Sequence, residues 1–175
     1  MLFPFKKTYS KHERRLFRFL QKNYLFRKLN ENELAEFLPY MYPRHYEKGE
    51  VIFFRNDPSQ ALYLVNKGVV ALNLDVSDKF EELTRLKTAD AFGDNALLED
   101  KKRVYNAICF SDQCELYVIP TVNIYDIFEH NAKIRAKVMT SMAENYDRYM
   151  SNLFRSYQDA YGFFDLGMAF NATNQ

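Results

Sequence analysis

The chain has 175 residues, 47% of them apolar, with 24 Lys and Arg against 23 Asp and Glu. That length fits one domain with an appended helix and leaves little room for two, and a formal charge of +1 excludes a whole-molecule field that would draw in nucleic acid or an anionic membrane. No apolar run reaches bilayer-spanning length, and Met1 to Tyr9 lacks an export pattern, so a cytoplasmic protein without membrane contact is expected; Cys109 and Cys114, placed as in a strand pair and not at metal-ligand spacing, fit a reduced compartment.

Residues 1–24 read as an N-terminal helical extension. His12 to Tyr24 carries Leu16, Phe17, Phe19 and Leu20 among basic residues. Asn30 caps a second helix through Glu33, with Leu34, Phe37 and Leu38 at helical spacing, and Pro39 and Pro43 close the helical region. From Tyr46 the pattern turns to short strands: Val51 to Phe54, Ala61 to Val65 and Val69 to Leu74. Turn residues separate them at Lys48-Gly49, Asn56-Asp57-Pro58 and Lys67-Gly68, and such spacing suggests a sandwich or barrel. Two further strands flank the turn at Ser111-Asp112-Gln113, and Pro120 opens a short helix over Val122, Ile124 and Phe128. A long helix follows from about Asn131. Its stripe of Ile134, Val138, Met142, Tyr146, Tyr149, Leu153 and Tyr157 needs a partner surface. Residues 158–175 read as a tail.

Between the strand groups lies Ala91-Phe92-Gly93-Asp94-Asn95-Ala96-Leu97-Leu98, with Arg103 after it. Gly93 permits close approach to the main chain, a short helix over Ala96 to Leu98 would aim N–H groups at an anion, and Arg103 could grip the same anion bidentately. Asp94, acceptor-only when ionised, suits sugar hydroxyls. These are the parts of a pocket for a phosphate joined to a ribose.

The run resembles the phosphate-binding cassette of cyclic nucleotide-binding domains, found in bacterial catabolite-activator-type regulators and kinase regulatory subunits. Gly93, Ala96, Leu97 and Arg103 match it, as do Lys48-Gly49-Glu50, Val51-Ile52, Asp57, Leu62 to Val65 and Gly68 for the family's first motif. Asn56 stands where a Gly is usual, and Asn enters the left-handed region more readily than most residues. Asp94 replaces the family's ribose-binding Glu, and Val104-Tyr105 replaces a pair of small residues. Tyr105 has three courses: outward along the strand, reshaping the pocket, or filling it.

The resemblance implies a mainly β fold with flanking helices, a double-stranded β-helix or jelly-roll barrel spanning residues 25–157 with a long C-terminal dimerisation helix. It implies a cyclic nucleotide, cAMP or cGMP, as ligand, with Arg103 and the backbone at Asn95, Ala96, Val104 and Tyr105 on the phosphate and Asp94 toward the sugar, and no metal. A homodimer with an unknown downstream protein partner follows. The regulators continue into a helix-turn-helix that the residues after Ser156 are too few to build, so direct DNA binding is not expected. The leading expectation is a stand-alone sensor signalling through its last helix; its rival is an interaction or scaffold module whose pocket no longer binds nucleotide. An enzyme is the weakest of the three readings, since no general base, nucleophile elbow or metal-ligand set is apparent.

Overall fold

The computed structural model describes residues 8–76 and 79–161. Helix α1 (Lys11–Lys22) starts at a capping box in which Ser10 accepts from the Glu13 N–H and the Glu13 carboxylate accepts from the Ser10 N–H. Asn30 and Glu33 repeat the device for α2 (Glu31–Ala35). A 3-10 turn (Leu38–Tyr40) containing Pro39 leads into the strands.

Eight strands follow: β1 (Tyr42–Glu47), β2 (Val51–Phe53), β3 (Ala61–Lys67), β4 (Val70–Val76), β5 (Lys79–Leu86), β6 (Ala91–Phe92), β7 (Asn106–Cys109) and β8 (Gln113–Pro120). They form two four-stranded antiparallel sheets, ordered β1-β8-β3-β6 and β2-β7-β4-β5. Helix α3 (Thr121–His130) begins after Pro120, and α4 runs from Ala132 to Tyr161.

Two departures from the sequence reading concern sheet edges. Strand begins at Tyr42, not Tyr46, and Pro43 lies inside β1. This is tolerated because β1 is an edge strand, where a missing N–H removes no central ladder bond. Strand β5 was not anticipated. Its Glu81 to Arg85 are all exposed, and it pairs with β4 alone, so no apolar alternation marks it.

Period-2 alternation divides the interior into two cores. Leu62 and Leu64 of β3 and Ile119 of β8 join α1 (Leu16, Phe17, Leu20), Phe26, Leu34, Phe37, α3 (Ile124, Phe128) and the start of α4 (Ile134, Val138, Met142). Val65 of β3 and Cys114 and Leu116 of β8 meet Phe53, Val70, Leu72, Phe92, Ala107 and Cys109 between the sheets. The order is helices, first sheet, second sheet: a β-roll with flanking helices and a long C-terminal helix. The residues divide into two compact units after Met142, inside α4. The second unit presents Tyr146, Tyr149, Met150 and Leu153 with more than a third of their surface exposed. Most of the tail expected from residue 158 lies outside the described residues.

Candidate functional site

The cassette is built where β6 ends. Gly93 takes a left-handed conformation (φ +69°), and a 3-10 turn follows over Asp94–Leu97, with Leu98 already extended. The expected helix over Ala96 to Leu98 is therefore a 3-10 turn that starts two residues earlier and ends one residue earlier. Ala96, fully buried, spends its N–H on the Gly93 carbonyl at 3.0 Å, and Leu97 is buried in the helical core. The turn is anchored by packing as much as by backbone bonds.

Arg103 is brought back to Gly93 by the first motif. Asn56 adopts φ +71°, and the loop it opens pairs with the strand-like segment before β7: Asn56 N–H donates to the Arg103 carbonyl at 2.9 Å, Arg103 N–H to Asp57 at 2.8 Å, and Ser59 N–H to Lys101 at 2.9 Å. The Arg103 side chain, 3% exposed, then turns inward. Nη1 donates to the Gly93 carbonyl (3.0 Å) and Nη2 to the Ala61 carbonyl (2.7 Å), while Nε has no partner. A Cβ on Gly93 would run into Nη1, so the glycine is needed for the close approach as well as for its backbone angle.

Two rings face the guanidinium and two more pack behind them. Its carbon lies 4.3 Å from the Phe53 centroid and 5.4 Å from that of Tyr63, Tyr63 stacks on Phe92 at 5.1 Å, and Tyr105 stands 5.9 Å from Phe53. No carboxylate pairs with Arg103 among the described residues; cation–π attraction and two carbonyls take that place. Burial pulls its pKa below the ordinary value, and Tyr63, Tyr105 and Asp57 resist the shift. Burial likewise lifts the Tyr63 phenol. The cation stays charged, since arginine does not deprotonate in proteins.

The remaining predicted residues separate. Tyr105 points inward, and its hydroxyl accepts the Gly93 N–H at 2.9 Å. Val104 turns out, 60% exposed. Asp94 accepts a 2.6 Å bond from the hydroxyl of Tyr24, beyond the end of α1. Asn95 ties the loop together, accepting from Ser59 at 2.8 Å and donating to the Lys102 carbonyl at 2.7 Å. Gly93, Arg103 and Tyr105 thus meet at one point, with Asp94 directed to the N-terminal segment. Sequence reasoning missed Phe53, Tyr63 and Phe92 as the wall around Arg103, although their inward positions follow from strand alternation. It also missed Tyr24, for which no pattern gives a signal.

The sequence profile described as cyclic nucleotide-binding domain matches residues 43–131, from β1 to the end of α3. The chain belongs to this family. It is 34% identical over 89 residues to the cyclic AMP receptor protein of Thermus thermophilus, covering 50% of this chain and 41% of that protein. It is 26% identical over 106 residues to a cGMP-dependent protein kinase of Caenorhabditis elegans, covering 59% and 14%. The chain spans less than half the length of these curated relatives. Among solved structures, the Thermus thermophilus catabolite activator protein superposes with a TM-score of 0.67 at 26% identity, covering 78% of this chain and 62% of that one. The regulatory domain of Toxoplasma gondii PKA, co-crystallised with cAMP, gives 0.62 at 22% identity over 69% and 46%, a likeness of fold. In this cyclic nucleotide-binding domain, no described helix is long and apolar enough to cross a membrane. No group of three or more His, Cys, Asp or Glu among the described residues could hold a metal ion.

Proposed function

We propose that this domain is a non-catalytic regulatory module that senses a cyclic nucleotide, or a related small anion, at the Arg103 cassette. The observation that carries this reading is the buried Arg103 guanidinium, with no carboxylate among the described residues to balance it and with Nε unbonded. A buried charge is costly unless an opposite charge meets it, and a phosphate supplies that charge. Entry requires Tyr105 to leave the Gly93 N–H and Tyr24 to release Asp94 to the sugar. The neutral bond lost at Gly93 is worth about 0.5–1.5 kcal/mol, the charge-assisted bond lost at Asp94 is replaced by one from the sugar, and each charge-assisted bond gained at Arg103 contributes about 1.5–3 kcal/mol, so the exchange can favour ligand. Because Ala91, Leu97 and Leu98, on either side of Gly93, pack against the helical core, displacement there bears on α3 and the start of α4, and movement of the C-terminal helix is the signal. The exposed stripe at Tyr146, Tyr149, Met150 and Leu153 supports pairing with a second copy.

A second reading is an interaction module working without nucleotide, and the Tyr105 bond to Gly93 favours it. Isothermal titration with cAMP and cGMP, with Arg103→Lys run beside the wild type and folding checked by circular dichroism, separates the two. Saturable heat that the substitution weakens at least tenfold supports the sensor. No heat from a folded, ligand-free protein supports the interaction module.

A further inference from the structure

The roll holds a second reactive feature, away from the cassette. Cys109 ends β7 and Cys114 is the second residue of β8, with four residues between them. Their sulfurs are 2.8 Å apart, with both residues buried and neither in a disulfide. Three turns grip this corner between the sheets. Gly49 donates its N–H to the Cys109 carbonyl at 2.8 Å. Ser111 Oγ accepts the Val69 N–H at 2.9 Å and donates to the Gln113 carbonyl at 2.8 Å. Gly68, at φ +87°, lies so close that a Cβ there would run into the Gln113 carbonyl and stand 3.0 Å from Cys114 Cα. The backbone that aims the two thiols at each other is therefore held from three sides.

The chemistry of the pair narrows its use. Burial, and then Cys114 itself, push the Cys109 thiol up to about 12, and no Lys, Arg or His among the described residues hydrogen-bonds or ion-pairs with either sulfur. Cys109 therefore does not have the setting of a fast catalytic thiolate, and the buried pair reacts with peroxide slowly, through its small ionised fraction. A metal ion is also a poor fit. Two metal–sulfur bonds of about 2.3 Å in a linear bridge would require the sulfurs to separate, and no third His, Cys, Asp or Glu completes a metal group among the described residues. A disulfide bond is about 2.05 Å long, which the sulfurs reach by closing together.

We propose that Cys109 and Cys114 are a dithiol modification site, oxidised to an intramolecular disulfide by hydrogen peroxide. One thiol attacks the peroxide oxygen, becoming a sulfenic acid as its proton leaves with the released water. The second thiol attacks that sulfur, and a second water departs. The dithiol loses two electrons and two protons, and the peroxide O–O bond is reduced. The product ties β8 of the first sheet to β7 of the second, and β7 begins at the residue after Tyr105, so oxidation stiffens the strand that follows the pocket-side tyrosine.

The test is to expose the native full chain to hydrogen peroxide, quench it, unfold it in iodoacetamide and map the peptides by mass spectrometry. The expected result is a Cys109–Cys114 cross-linked peptide two hydrogens lighter than the dithiol form, unalkylated, reversed by dithiothreitol and accompanied by a higher melting temperature. Cys109→Ser and Cys114→Ser, both folded by circular dichroism, form no such link. Two alkylated cysteines after prolonged exposure, sulfinic acid at either position, or only intermolecular cross-links would overturn the proposal.

Discussion

The turn at Gly68 and the cassette at Gly93 use the same backbone device, a glycine in the left-handed region, yet they leave different amounts of slack. At Gly68 the neighbours are the Ser111 hydroxyl and, on the backbone, the Gln113 carbonyl, which is nearest, and Cys114 Cα. At Gly93 the nearest neighbour is the tip of a side chain, Arg103 Nη1. The first turn is fixed by atoms that cannot yield, whereas the second is fixed by a cation and a tyrosine hydroxyl that a ligand could replace. One region specifies the roll, and the other is where the roll can change.

Alanine at the three left-handed glycines breaks that comparison or sharpens it. Gly68→Ala is expected to cost about 3 kcal/mol or more, because left-handed strain adds to a clash with backbone. Gly93→Ala is expected to cost about 2 kcal/mol, since Arg103 can swing aside, and to expose the guanidinium. Gly49→Ala, with nothing within 4 Å of its added Cβ, should cost only the strain, about 1 kcal/mol. Urea unfolding of the three variants checks the order, and equal losses at Gly68 and Gly93 would remove the distinction between rigid and yielding turns.

A smaller effect concerns the helical side of the roll. Lys137 of α4 reaches the Glu33 carboxylate of α2 at 2.7 Å from both oxygens. Burial alone would raise the Glu33 pKa, but the Lys137 ammonium and the Asn30 N–H outweigh it and hold the carboxyl below its ordinary value. A carboxyl depressed in the folded state stabilises above its unfolded pKa of about 4.3, and that contribution is lost as pH falls through the lower folded value. Lys137→Met should therefore cost about 0.5–1 kcal/mol at neutral pH, with the gap to wild type closing on acidification below about pH 4. A gap independent of pH would mean the lysine acts through packing alone.

A further effect is at the link between α1 and the cassette. Tyr24→Phe removes the hydroxyl donated to the Asp94 carboxylate, a charge-assisted bond, and should cost about 1.5 kcal/mol of stability. It should also tighten cyclic nucleotide binding by a few fold, because the carboxylate loses one of its competing partners. Tighter binding without loss of stability, or the reverse, separates Asp94 from the role given to it.

The roll was legible in the sequence where turn chemistry and alternation coincide: Lys48-Gly49, Asn56 and Lys67-Gly68 bound strands whose inward residues are apolar, and Asn56 takes the left-handed angle expected of it. Strand β5 was hidden because an edge strand with charged residues on both faces carries no period. β1 was read late because Pro43 resembles a stop unless the strand is known to lie at an edge. In the cassette, residue identities pointed to Gly93 and Arg103 meeting, but where Tyr105 points depends on strand pitch, and its bond to Gly93 depends on a turn twelve residues earlier. Tyr24 meets Asp94 across seventy residues of chain, a contact no local pattern encodes.

The central claim is that Tyr105 occupies donor capacity at Gly93 that a ligand would otherwise use. Titration of cAMP into the wild type and into Tyr105→Ala, at equal ionic strength, tests it most directly. At least tenfold tighter binding by the variant, about 1.4 kcal/mol, is the predicted result. Affinity unchanged or weakened in a folded Tyr105→Ala protein would contradict the account.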